Sequence, residues 1–181
     1  MAKTTITEAL AELKTIEKRI EKKRQFVMNF IGRLAMNRDP LEKEGGAVEA
    51  VRAERQAIDD LHQRTINIRR AIQRANDANL IIVEGDSRSI ADWLVWRREV
   101  APHKKTFLDT LRQGINNARS QAKTKDAKLV ESAGDATGAL DVIVHVSERE
   151  LAEQIEKMET VMGTLDGQLS LKNATITIDV D

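Results

Sequence analysis

The fold of this chain is decided by residues 6–36, ITEALAELKTIEKRIEKKRQFVMNFIGRLAM, in which apolar side chains return every seven residues. Further apolar residues fill the positions three or four places on, which puts both sets along one stripe of a helix, as in a coiled coil. Thr5 and Glu8 form a capping-box pattern at the start of the helix. Asn37, Asp39 and Pro40 predict its end, because proline disfavours helical geometry in the preceding residue. The seven-residue series is Ile6, Leu13, Ile20, Val27 and Leu34.

A second stripe of the same kind follows a short loop that contains Pro40 and Gly45-Gly46. Two apolar stripes of similar length joined by a short turn are typical of an antiparallel helical hairpin. The second stripe consists of Val51, Ile58, Thr65 and Ile72, with Leu61, Ile68 and Ala75 three residues after Ile58, Thr65 and Ile72.

The rest of the chain predicts two further helices and a small β element. Residues 80–83 (LIIV) and 141–146 (DVIVHV) favour strands, and Pro102 should kink the third helix or begin a new one. A fourth helix follows Ser147 and ends near Gly167, and the alternating tail at 175–180 predicts a strand. That strand could pair with residues 141–146 or with another subunit, because an open edge recruits strands.

The expected fold class is therefore mainly α: a long antiparallel helical hairpin, coiled-coil-like, with two further helices and a small β element near the C-terminus. The expected divisions are a helical part at 1–118, a polar loop or linker at 119–139, and a strand-helix-strand part at 140–181.

The centre of the chain resembles the septicolysin-like family of helical bacterial proteins. The resemblance lies in residues 72–76 (IQRAN), a glycine turn, residues 89–94 (SIADWL) and Arg97-Arg98, and it extends to residues 7–10 and to residues 165–175. It implies a mostly helical hairpin protein, and the family name hints at a cytolysin. The chain departs from the family pattern at Pro102, in the polar loop after Arg119 and in the final strand, and no catalytic residues are carried over.

The residues that carry enzyme chemistry are not arranged for it. Cysteine is absent, which removes disulfides and thiolate zinc sites together. His62, His103 and His145 belong to three different elements, and His145 is expected to face solvent. Glycine-rich phosphate loops and nucleophile elbows are missing as well. We therefore expect no catalytic, cofactor or metal site and a protein that is not an enzyme.

Two tryptophans three residues apart are the largest apolar groups in the chain. Trp93 and Trp96 could anchor the third helix in the core or act as contact hot spots, in which tryptophan is enriched. The strand at the C-terminus offers an edge to a second chain. The candidate interface residues are Trp93, Trp96, Arg97, Arg98, Ile176, Ile178 and Val180.

The zero net charge of the chain hides blocks of opposite sign. Residues 1–38 carry a net charge of +5, residues 39–60 −4, residues 61–130 +7 and residues 131–181 −8. Such blocks can meet within a chain or between chains, and they set orientation more than affinity. We expect a non-enzymatic structural or interaction protein that forms a homo-oligomer and could contact other proteins. A bacteriophage virion or assembly component, in the cytoplasm or in a viral particle assembled there, is a concrete version.

Two alternatives stay open. The basic residues at 64–119 could bind nucleic acid, which we rank below protein contact because no recognition motif accompanies them. A membrane-active protein is the second alternative, and residues 26–31 (FVMNFI) are the stretch that suggests it. The helix seam explains the same residues, so we expect no membrane partner.

Overall fold

Two long helices pair antiparallel in the computed structural model of the chain, which describes residues 3–180. They are α1 (Ile6–Phe30) and α2 (Ala47–Ala78), and they form the predicted hairpin. The protein is mainly α, as expected. The chain divides into two units: residues 3–79 with 170–180, here unit 1, and residues 80–169, here unit 2. These units do not coincide with the divisions expected near residues 118 and 139.

The first helix begins as predicted and ends early. Its capping box is confirmed: the Glu8 amide donates to Thr5 Oγ1 at 3.2 Å, and the Thr5 amide donates to Glu8 Oε2 at 2.8 Å. The predicted end near residue 36 is wrong, because the helix stops at Phe30. Gly32 follows at once, and glycine has low helix propensity.

The core of unit 1 lies at the end of the hairpin where α1 begins and α2 finishes. Strand β1 (Lys3–Thr5) pairs antiparallel there with β6 (Thr177–Asp179), with Thr4 opposite Ile178. The predicted pairing of the tail with residues 141–146 is wrong, because the inward face of the tail strand packs against the hairpin. The buried members of this core are Ile6, Ala9, Leu13, Ile16, Ile68, Ala71 and Ile178.

Unit 2 begins with a β-hairpin of which only the first strand was predicted. Strands β2 (Leu80–Val83) and β3 (Asp86–Ser89) pair antiparallel. Glu84 and Gly85 join them with φ values of 50° and 81°, left-handed geometry that suits a tight hairpin turn. Ser89 then caps the next helix, with its Oγ accepting the Asp92 amide at 3.0 Å.

The kink or restart expected at Pro102 takes the form of a widened turn. Helix α3 (Ile90–Val95) passes into a π-helical turn (Trp96–Val100) and then into α4 (Ala101–Thr124). Proline has no amide hydrogen, and its ring crowds the preceding turn. The wider turn before Pro102 accommodates both effects without ending the helix.

The polar segment predicted as a loop or linker at residues 119–139 is more ordered than its composition predicts. Helix α4 runs on to Thr124, with Ala122 buried, and two-residue strands β4 (Leu129–Val130) and β5 (Val142–Ile143) pair parallel. The Asp141 carboxylate accepts the backbone amides of Lys128, Thr137 and Gly138 at 2.8–2.9 Å. These hydrogen bonds favour its charged form and lower the pKa of Asp141.

The last helix, α5 (Glu148–Thr175), is longer than predicted. The expected end near Gly167 is wrong, because the helix passes through Gly163 and Gly167. Each glycine costs about 1 kcal/mol of helix stability relative to alanine. Burial of Leu165 and Leu169, which are 0% and 6% exposed, offsets that cost.

The unit 1 core predicts a sharp contrast between two isoleucines of α2. Ile68 is fully buried, whereas Ile66 is 43% exposed. We expect Ile68→Ala to lower the free energy of unfolding by about 2–5 kcal/mol, because it leaves a cavity. The control variant Ile66→Ala should change it by no more than about 0.5 kcal/mol. Urea denaturation followed by far-ultraviolet circular dichroism measures both, and equal losses would contradict this core.

Candidate interaction surface

The half of the hairpin remote from the unit 1 core is only partly covered. We call it the distal hairpin: residues 17–30 of α1, the connecting segment 31–46, and residues 47–67 of α2. Among its described residues, only Leu41 of the connecting segment is buried, at 9% exposure. Its seam residues, including Ile20, Val27, Val51 and Ile58, are half-buried. At the other end the β1–β6 pair adds a layer over the same seam.

Two ion pairs across the hairpin hold the helices in register. Arg64 Nε lies 2.9 Å from Glu12 Oε1, and Lys23 Nζ lies 2.7 Å from Glu54 Oε2. Lys23 and Glu54 both occupy seam positions, so a base in the seam of α1 is matched by an acid in the seam of α2. All four side chains remain about a third exposed, and such pairs stabilise by about 0.2–1 kcal/mol each.

The connecting segment is organised by one carboxylate. Asp39 Oδ1 accepts the Leu41 amide and Oδ2 accepts the Ala47 amide, both at 2.9 Å. Ala47 begins α2, so Asp39 caps this helix from eight residues away. Hydrogen bonds from Ala47 and then Leu41 lower the pKa of Asp39. Gly45 and Gly46 adopt φ values of 96° and 92°, which side chains disfavour, and thereby complete the turn.

A groove runs along one face of the hairpin. Three cavities of about 710, 500 and 700 Å³ lie end to end between α1 and α2. The first two share Glu21 and Arg24, and the last two share Asn29 and Arg55. We call the continuous depression the hairpin groove. Its apolar lining includes Leu13, Ile16, Ile20, Val27, Val51 and Ile58.

The charged residues along the hairpin groove are mainly basic. Seven arginine or lysine residues line it, against three acidic residues, Glu17, Glu21 and Asp39. Of these acids, Asp39 is engaged with backbone amides. The groove therefore combines apolar walls with a positively charged rim. The basic residues are Lys14, Arg24, Arg33, Arg38, Arg52, Arg55 and Arg69.

Large apolar side chains are exposed where the hairpin turns. We call them the tip patch: Met28, Ile31, Leu34, Met36 and Val48, which are 66–86% exposed. Clustered apolar groups of this kind mark contact sites, whereas single ones are ordinary. The extra apolar residues beside the heptad seam were the signal in the sequence for this patch, but they also fit a covered helix face.

The candidate interface residues predicted from the sequence are used within their own units. Trp93 is 3% exposed, and its Nε1 donates to the Ile81 carbonyl at 3.2 Å. The Trp96 ring meets it edge-on at 5.5 Å between centroids, and the Arg88 guanidinium lies 4.9 Å from the Trp93 ring centroid. The two tryptophans are therefore brought together as a packing cluster of unit 2.

The remaining candidate interface residues also have partners in the chain. Arg97 Nη2 lies 3.0 Å from Asp166 Oδ1, and Arg98 Nε lies 2.7 Å from Glu99 Oε1. In unit 1, Ile178 is buried, while Ile176 and Val180 are half-buried against its core. The structure places the tryptophan–arginine group and the three tail residues in different units and does not bring them together within either one.

The Asp39 cap predicts a titration that can be observed residue by residue. The pKa of Asp39 in the folded protein lies below the ordinary 3.8. The hydrogen bonds to its charged carboxylate are therefore intact above pH 3.8, and they are lost as the pH falls through the lower pKa of the folded state. We expect the amide resonances of Leu41 and Ala47 to shift together, with a midpoint below 3.8. Asp39→Asn should abolish this shared transition. A midpoint at or above 3.8, or persistence in the variant, would contradict the cap.

Comparison with known proteins gives no relative from which a function could be inferred. No protein-family model, curated protein or solved structure matches the chain. Over residues 3–180, no helix is both long and apolar enough to cross a membrane. In the same described part, no histidines and carboxylates cluster as a metal site would require, and His62, His103 and His145 are exposed.

Proposed function

We propose that this protein is a non-enzymatic structural or interaction protein that assembles as a homo-oligomer. The observation that carries the proposal is the exposed tip patch at the end of the distal hairpin. Apolar surface in contact with water is costly, and association with a second chain removes it. A repetitive particle, such as a bacteriophage virion or its assembly machinery in the cytoplasm, is the concrete setting that we propose.

The amount of exposed surface supports association. The chain exposes 13005 Å². Two compact bodies of about 10 kDa each would together expose about 10,600 Å². The surplus, roughly 2,400 Å², is in the range that stable protein interfaces bury. An interface of standard size buries about 800 Å² on each partner, which is less than this surplus.

Nucleic-acid binding, the first alternative from the sequence, has less support. Two of the arginines behind it lie against carboxylates that are distant in the sequence: Arg64 with Glu12, and Arg97 with Asp166. An arginine held by a carboxylate has less net charge to offer to phosphate. The remaining cations are divided between the two units.

Native mass tests the proposal. We expect light scattering coupled to size exclusion to give a mass at least twice 20.3 kDa in a dilution series through the micromolar range. The variant Leu34→Ser/Met36→Ser should shift the assembly toward monomer by at least about tenfold, because it removes apolar area from the tip patch.

The matched control is Phe107→Ser, which removes a 61% exposed side chain from unit 2 and should leave the mass unchanged. A chain that stays at 20.3 kDa at every concentration would overturn homo-oligomerisation. An oligomer that is unaffected by the tip variant would overturn the role of the tip patch.

A further inference from the structure

We propose that the hairpin groove is a binding site for an acidic amphipathic helix of a partner protein. The inference rests on the proposed role in protein contact and names the class of partner that this surface takes. It concerns the groove face between α1 and α2. The groove shares Met28, Ile31 and Val48 with the tip patch, whereas Leu34 and Met36 of that patch lie outside its lining.

The shape and lining of the groove suit a helix. Two helices already form its walls, and their half-buried seam residues provide an apolar floor that a third helix would cover. Recognition of this kind places apolar residues at positions i, i+3, i+4 and i+7 of the ligand in the groove. From Leu13 to Phe30 the groove spans about 26 Å, which accommodates about 17 residues of helix.

The basic rim of the groove determines the sign of the charge that the partner helix carries. Arg24 and Arg55 both line the middle cavity from opposite helices, and both are exposed. Arg24 has a partner in Glu21, at 3.3 Å on the surface, an ion pair that is worth little in water. Arg69 extends the positive rim toward one end, and Arg52, which lies 3.2 Å from Glu49 in a similar surface pair, extends it toward the other. A helix with glutamates or aspartates beside its apolar stripe matches this arrangement.

Other occupants fit less well. Two hairpin grooves placed face to face would bring the same basic rims together, and like charges oppose that contact. The polyanionic backbone of nucleic acid would meet the rim but not the apolar floor. A flat anionic membrane would contact the rim without filling the concave space. Duplex DNA and anionic vesicles therefore serve as competing outcomes of the test.

The experiment is a titration of the full chain into a labelled 18-residue peptide, followed by fluorescence anisotropy. The peptide carries leucine at helical spacing and glutamate on the flanks of that stripe. We expect saturable binding that weakens as salt is raised. Arg24→Glu/Arg55→Glu should weaken binding at least about tenfold, because it reverses charge on both sides of the groove.

The matched control variant is Lys18→Glu/Arg19→Glu, which makes the same change of charge on exposed residues of α1 outside the groove lining. It should alter affinity less than about threefold. The peptide controls replace glutamate by lysine, or scramble the order so that the apolar stripe disappears, and neither should bind.

Several results would overturn the proposal. The acidic peptide would fail to bind, or the scrambled peptide would bind equally well. Equal effects of the two charge variants would also overturn it, as would preferential binding of duplex DNA or phosphatidylserine vesicles at the rim.

Native mass is measured separately. A monomer that binds the peptide overturns only the homo-oligomer, and an oligomer that does not bind it overturns only the groove.

Discussion

The antiparallel contact between α1 and α2 is the constraint on which unit 1 depends, because two helices alone cannot surround the seam between them. Near Ile6 and Ile68 the β1–β6 pair adds a further layer, and the seam there is buried. In the distal hairpin the same kind of seam stays half-buried, although the Lys23–Glu54 ion pair keeps the helices together. One repeating pattern thus produces a closed core at one end and an open surface at the other.

The charges of the hairpin add direction to that open surface. The first 38 residues carry a net charge of +5, and the groove collects several of these cations on one face. Asp39 offsets one of these charges, because the hydrogen bonds from the amides of Ala47 and Leu41 keep it ionised while it stabilises the turn. The neutral total of the chain therefore conceals a local surface on which basic residues outnumber acidic ones.

The local patterns predicted the elements whose signals lie within a few residues. The heptad spacing from Ile6 to Ile72 indicated the hairpin, and the Thr5–Glu8 pattern indicated its cap. What depends on distant contacts escaped: the pairing of β6 with β1 and the extension of α5 through Gly167. The sequence left Trp93 open between a place in the core and a place in a contact surface. The candidate surface escaped for the same reason, because Met28 and Ile31 fit a covered or an open helix face equally well until the neighbours are known.

Side-chain oxidation in solution tests the central claim most directly, since the chain has methionines in both places that matter. Met28 and Met36 belong to the tip patch and are 68% and 86% exposed, whereas Met158 and Met162 are half-buried in unit 2. Hydroxyl-radical footprinting across a concentration series should show Met28 and Met36 reacting fast in dilute protein and becoming protected as mass increases, with Met158 and Met162 unchanged. Equally fast oxidation of Met28 and Met36 in the assembled protein would contradict the claim that association covers the tip patch.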